Sequence, residues 1–248
     1  MEEYTNSMTL SCGCGVGHGG DDVGATAFGK TEAKLILPIV METAAFLKRR
    51  GVVTYLTRTT NRNSSINTKV ALFNSKKVTV CFDGHINAGG GKGAEVCYVP
   101  SSSRSKEIAQ CVNQAITKYT EQNSRGLKAR NDLGMLNYTN MPSFLVECGF
   151  IDNEEDLPFI TGEKAQEKMG NAIAKGILDY LHVRWVLAYE ITTTKDTTLK
   201  SEATSKSRTI TVMKKNSRLT IYRLSKGGEW GYNGKGWVKL ADTTEIES

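Results

Sequence analysis

The strongest constraint on this chain is an alternation. Over residues 7–182, short runs rich in β-branched and aromatic residues give way repeatedly to longer stretches with helical spacing. VVTYLT (52–57), VTVCFD (78–83), AEVCYV (94–99) and SFLVEC (143–148) read as strands. Between residues 106 and 120, Ile108, Cys111, Val112, Ala115, Ile116 and Tyr119 recur at helical intervals, as do Ala165, Met169, Ile173, Ile177 and Leu181 over 163–181. Strands alternating with amphipathic helices predict an α/β fold: a mostly parallel, twisted sheet flanked by helices. A further helix is expected from Thr31, an N-cap, to Arg50, where Gly51 stops it. Pro38 falls inside that span and lacks a backbone donor, so a kink or a later start is expected there.

After His182 the texture changes to ITTTKDTTLKSEATSKSRTITV, then RLTIYRL, EWGYNGKG and WVKL. Short strands with Gly-rich turns, and Trp230, Tyr232 and Trp237 close together, predict a small all-β barrel. The 248 residues suffice for one good core and a smaller second one. The expected division is residues 1–182 and 188–248, with the boundary at 183–187.

No stretch approaches the roughly 18 consecutive apolar residues of a membrane span. The opening MEEYTNSMTL holds two acids and no apolar core of a signal peptide, so accumulation in the cytosol is expected. The net charge is +6, and residues 188–248 hold 11 Lys and Arg against 7 Asp and Glu. That local excess is either a solvated surface or an attraction to an anionic polymer; no basic helix or nucleic-acid motif accompanies it. The six cysteines lie in or beside apolar runs of a chain too long to need disulfide staples, and are read as buried thiols. Cys12 and Cys14 form a C-x-C with no second pair, which favours packing on one strand face over metal.

Of the three histidines, His18 in GVGHGGDDVGA and His85 in CFDGHINAGG sit where strands hand over to glycine-rich loops. In α/β sheets such strand ends gather ligands and catalytic groups. A catalytic zinc site takes three His or carboxylate ligands and leaves a fourth position for water. Glu32, at the start of the helix after the His18 loop, is the natural third. Taken singly, each has a plainer reading as a hydrogen-bonded His or a helix-terminal Glu. His182 closes the last helix, where a cation needs no further explanation.

Taken together, GHGGDDVGA, the Glu of KTEAKL, LTR at 56–58, GHINAGGGKGAEVCY, RGLKARNDLGML and MPSFLVECGFIDNEED occur in the order found in a known family. Residues 7–182 resemble the zinc-dependent N-acetylmuramoyl-L-alanine amidases of the amidase 3 type. The resemblance implies Zn2+ held by His18, Glu32 and His85, and Glu147 as the catalytic carboxylate. It implies hydrolysis of the amide joining muramic acid to L-alanine in peptidoglycan. Zinc chemistry separately needs such a base, and an apolar strand end raises a carboxyl pKa into a useful range. Asn87 and Arg130 are candidates to bind the peptide or its carboxylates, with loop stabilisation the alternative for each.

Asp83-Gly84 stand where the family more often has Ser-Ile, and neither is expected to touch a ligand. Residues 188–248 are similar to bacterial SH3-type wall-binding domains, through TTLKSEAT and GKGWVKL. The combination looks like a phage endolysin, held in the host cytoplasm until lysis. The alternatives are an exported autolysin or sporulation amidase, a hydrolase using Cys148 or Cys81 with His85, and a non-catalytic wall-binding protein. Oligomeric state is not legible.

Overall fold

The computed structural model describes residues 9–183, 189–225 and 229–245. The opening residues read as lacking an export signal lie mostly outside these, as does the boundary expected at 183–187 apart from Val183. The described residues divide into two compact units, one comprising the chain up to Leu47 with Val52–Tyr180, the other Lys48–Gly51 with the chain from Leu181 onward.

In the first unit the order is β1 (Ser11–Val16), β2 (Thr26–Ala27), β3 (Lys30–Thr31), α1 (Glu32–Arg49), β4 (Val53–Leu56), α2 (Ile66–Lys76), β5 (Val80–Asn87) and β6 (Ala94–Tyr98). Then come α3 (Ser103–Thr120), β7 (Ser124–Ala129), α4 (Gly134–Asn137), β8 (Ser143–Phe150), α5 (Leu157–Ile160) and α6 (Glu163–Tyr180). Six strands form one sheet in the order β4-β1-β5-β8-β6-β7. Every neighbouring pair runs parallel except β6 with β8, so the sheet is mixed.

The two faces of β1 differ sharply. Cys12, Cys14 and Val16 are fully buried on one side, and Gly13 and Gly15 line the other because side chains alternate along a strand, with Gly17 continuing that side just past its end. A Cβ at Gly13 would lie 2.6 Å from the Phe73 ring, and one at Gly15 2.5 Å from Asp83 Oδ1. One at Gly17 would lie 2.7 Å from His85 Cε1. The glycine face is therefore filled by α2 and β5 side chains. On the opposite face, Gly84 admits Val40 and Ile36 of α1, and α6 packs on α1 and α3 through Gly170 and Gly176.

The helix α1 begins at Glu32 and runs unbroken through Pro38, so the expected late start does not occur. Proline there forfeits one bond, to the Lys34 carbonyl, while Ile36, Ile39, Val40 and Leu47 are wholly buried. That burial outweighs the loss. Helix α3 starts three residues earlier than its apolar spacing suggests, because Ser102 caps it by accepting from Ser105 N–H. Among the described residues no helix is long and apolar enough to cross a membrane.

The second unit is all β: β9 (Tyr189–Thr193), β10 (Thr197–Lys200), β11 (Thr209–Met213), β12 (Arg218–Ile221), β13 (Arg223–Leu224), β14 (Trp230–Tyr232), β15 (Trp237–Lys239) and β16 (Thr243–Glu245). They form a five-stranded sheet, β11-β10-β15-β14-β13, and a three-stranded one, β12-β9-β16. Ile191, Leu199, Ile221 and Val238 make its core. Trp230 and Trp237 are buried, while Tyr222 and Tyr232 are partly exposed.

Candidate metal centre and active site

After β1 the chain turns through Gly17 into His18, which adopts a left-handed conformation (φ +53°) uncommon for a residue with a Cβ. The β2–β3 hairpin then returns the chain to Glu32, whose N–H donates to Ala25 O at 2.9 Å. The Glu32 carboxylate is buried and accepts the N–H of Ala25 (3.1 Å) and of Ile86 (3.0 Å). His18 Nε2 lies 3.2 Å from Glu32 Oε2, and His85 Nδ1 lies 2.9 Å from Glu32 Oε1. One donor atom from each of the three residues falls within 4.8 Å of the others. His85 stands within β5 rather than in the following loop, so the sheet itself fixes it.

Two features suit this cluster to a divalent cation. Burial opposes ionisation of Glu32, yet hydrogen bonds from both imidazoles and from Ile86 outweigh it and hold the carboxyl well below the usual range. Burial likewise disfavours the His85 cation, but Asp83 and Glu32 pull the imidazole up to about 10. Positive charge is thus strongly favoured here. In addition, the outward nitrogen of each ring meets a carboxylate: His18 Nδ1 with Asp22 Oδ2 at 2.8 Å, and His85 Nε2 with Asp83 Oδ2 at 3.3 Å. Such partners fix ring orientation and leave the other nitrogen to face a metal. The donor set of two imidazoles and a carboxylate is one that zinc accepts.

The expectation that Asp83 stands clear of the three cluster residues is therefore overturned, since it touches His85. Two residues apart on one strand, Asp83 and His85 share a face. Three more residues had no role in the sequence reading, although Arg58 and Glu95 lie within the quoted motifs. Lys69 of α2 reaches both Asp83 oxygens at 2.9 and 2.8 Å. Arg58, fully buried, donates to Gly17 O (2.8 Å), Ala33 O (2.9 Å) and Thr60 O (3.2 Å), tying together the neighbours of His18 and Glu32. Glu95 is paired in register with Glu147 and takes the Arg125 guanidinium at 2.8 Å.

Glu147 lies beside His85 in the β5–β8 register. Its Oε2 is buried without a hydrogen-bond partner. Burial pushes its carboxyl up to about 7, helped by the negative charge of Glu32, Glu95 and Asp83 and opposed by His85. A carboxyl poised there suits general acid–base work near neutral pH.

Asn87 lies two residues past His85 in β5, where the pairing with β8 shifts register; its amide donates to Glu95 Oε1 at 3.2 Å and its carbonyl accepts Ala88 N–H at 2.8 Å. Arg130 is exposed and forked onto Asp132, with two bonds of 2.7 Å. Each would have to leave these partners to meet a substrate. A cavity of about 240 Å³ opens beside the two imidazoles, with Ser64, Ile66, Met135 and Leu145 on its other walls. All six cysteines are free, and only Cys111 is not buried. Burial pushes the Cys81 and Cys97 thiols up to about 12 and raises Cys148 strongly as well.

Comparison with known proteins converges on one family. The Amidase_3 sequence model, N-acetylmuramoyl-L-alanine amidase, matches residues 15–179. The endolysin of Bacillus phage SPP1 is 33% identical over 177 residues, covering 68% of this chain and 65% of that protein. The amidase CwlM of Bacillus licheniformis is 29% identical over 164 residues, 65% of this chain and 64% of its own length. The amidase AmiC2 of Nostoc punctiforme superposes with a TM-score of 0.67 at 31% identity, covering 71% of this chain and 99% of its own.

Proposed function

Because the chain belongs to the Amidase_3 family of N-acetylmuramoyl-L-alanine amidases, we propose that it hydrolyses the amide between N-acetylmuramic acid and L-alanine with zinc held by His18, Glu32 and His85. The observation that carries this reading is the placement of Glu147 beside the His–Glu–His cluster, with an unpartnered oxygen and a carboxyl near neutrality. Zinc there would supply Lewis acidity, polarising the amide carbonyl and bringing the pKa of water down to about 7.

The chain's own groups do the rest. Glu147 takes a proton from the attacking water and passes it to the leaving alanine nitrogen. Hydroxyl ends on the lactyl carbonyl carbon, the C–N bond breaks, and the products are a carboxylate and a free amine. Asn87 and Arg130 serve as peptide contacts once their present partners are exchanged. Residues 1–182 act as the catalytic domain, and 188–248 as an SH3-like wall-binding domain whose basic excess suits an anionic wall polymer. The likeness to the SPP1 endolysin supports an endolysin role, with release from the host cytoplasm to the wall at lysis.

Digestion of purified peptidoglycan tests the reaction. New alanine amino groups, lost on chelation and restored by zinc, support it; new reducing sugars in their place would overturn it. Sedimentation of residues 188–248, fused to a fluorescent protein, with isolated walls tests the second domain.

A further inference from the structure

We propose that Lys69 and Asp83 form a buried positioning pair for the metal ligand His85, and that they set how tightly the centre holds its cation. The inference rests on the zinc reading of His18, Glu32 and His85. Lys69 and Asp83 are each only 2% exposed. Asp83 receives both the Lys69 ammonium and, at 3.3 Å, the outward nitrogen of His85. An ammonium and a carboxylate taken out of water together are a costly arrangement that seldom adds net stability over apolar packing. Removing one partner strands the other.

The surrounding sequence makes room for this pair. Lys69 and Phe73, four residues apart, are the buried residues of α2; Phe73 meets the glycine face of β1 directly, and Lys69 reaches the Asp83 carboxylate that lies against it. Phe73 fills the space at Gly13, while the Asp83 carboxylate occupies that at Gly15. The His85 ring takes the space at Gly17. A helix with one apolar anchor and one lysine is thus seated so that the lysine holds a carboxylate against a metal ligand. With its Nε2 side held by Asp83, the imidazole keeps Nδ1 turned to Glu32. A partner of this kind typically changes metal affinity about 10- to 100-fold.

The test uses the full chain and zinc alone. Lys69→Met/Asp83→Leu removes both charges together, so that neither is stranded. Lys69→Met/Asp83→Asn leaves His85 an uncharged acceptor. Zinc affinity is measured by competition with a chromogenic chelator. Circular dichroism and thermal melts report folding, and cobalt substitution reports ligand geometry. The expected result is a zinc affinity about 10- to 100-fold weaker in the Leu variant, with an altered cobalt spectrum, and partial recovery in the Asn variant. Folded variants that bind zinc as tightly as the unaltered chain, with melting temperature alone changed, would overturn the proposal. If the unaltered chain itself bound no stoichiometric zinc, the metal reading would fail first, and the two failures are told apart in that way.

Discussion

Glu147 sits alongside His85 in the parallel pairing of β5 and β8, with its Oε2 shielded from water and lacking a hydrogen-bond partner. A buried carboxylate without a partner contributes little to stability, and the proposed role of Glu147 as the base gives it another use. Glu147→Gln keeps the shape and removes the base. Amidase activity is expected to fall at least about 100-fold, with zinc stoichiometry unchanged. Alanine amine release and metal analysis of the same sample check both halves.

The same carboxyl carries a pH signature in stability. Its folded pKa of about 7 stands above the ordinary 4.5, so the folded state holds the extra proton between those values. Stability contributed by that proton is complete below about pH 4.5 and is lost as pH rises to about 7. In zinc-free protein, Glu147→Gln should therefore gain on the unaltered chain across this window, by up to about 3 kcal/mol at pH 8. Urea unfolding at pH 5 and pH 8 reads the difference; an equal gap at both would contradict it.

Arg58 joins the two segments that carry His18 and Glu32, the proposed metal ligands. Arg58→Met would leave the Gly17 and Ala33 carbonyls without their charged donor. A loss of about 3 kcal/mol in unfolding free energy is expected, together with weaker zinc binding, since the His18 loop and the start of α1 lose their common tie. Denaturant titration and chelator competition provide the two readings.

Thiol chemistry gives a contrasting outcome. With Cys81 and Cys97 pushed up to about 12 and only Cys111 outside the buried set, alkylation near neutral pH should label Cys111 first. Amidase activity should be retained, and a chelator should abolish it. Mass spectrometry locates the label. Loss of activity on labelling Cys81 or Cys148 in folded protein would restore the cysteine reading.

The legibility of this chain follows local signal strength. His18 and His85 draw notice because glycine-rich loops follow them, Glu147 because it ends an apolar run, and Glu32 only through its place at the start of the helix after the His18 loop. Helix α2 was invisible: it buries Lys69 and Phe73, too few positions for a period to show. Strand β7, SRGLKA, is an edge strand with no apolar alternation, and is paired on one side only. Pro38 misled because its local penalty is visible in sequence while the buried face that offsets it is not. Asp83 was readable in principle, two residues from His85 on a strand, but its partner Lys69 comes from a helix 14 residues away.

The glycine side of β1 also inverts the usual way of probing a protein. Elsewhere, function is mapped by trimming side chains to alanine and watching what is lost. Along Gly13, Gly15 and Gly17 there is nothing to trim, and alanine is an insertion into space already held by Phe73, Asp83 and His85. A conventional alanine survey would pass over this stretch as featureless, although a single methyl group there reaches His85 more directly than most deletions could. Variation in this protein should be tolerated least where its sequence is chemically most plain.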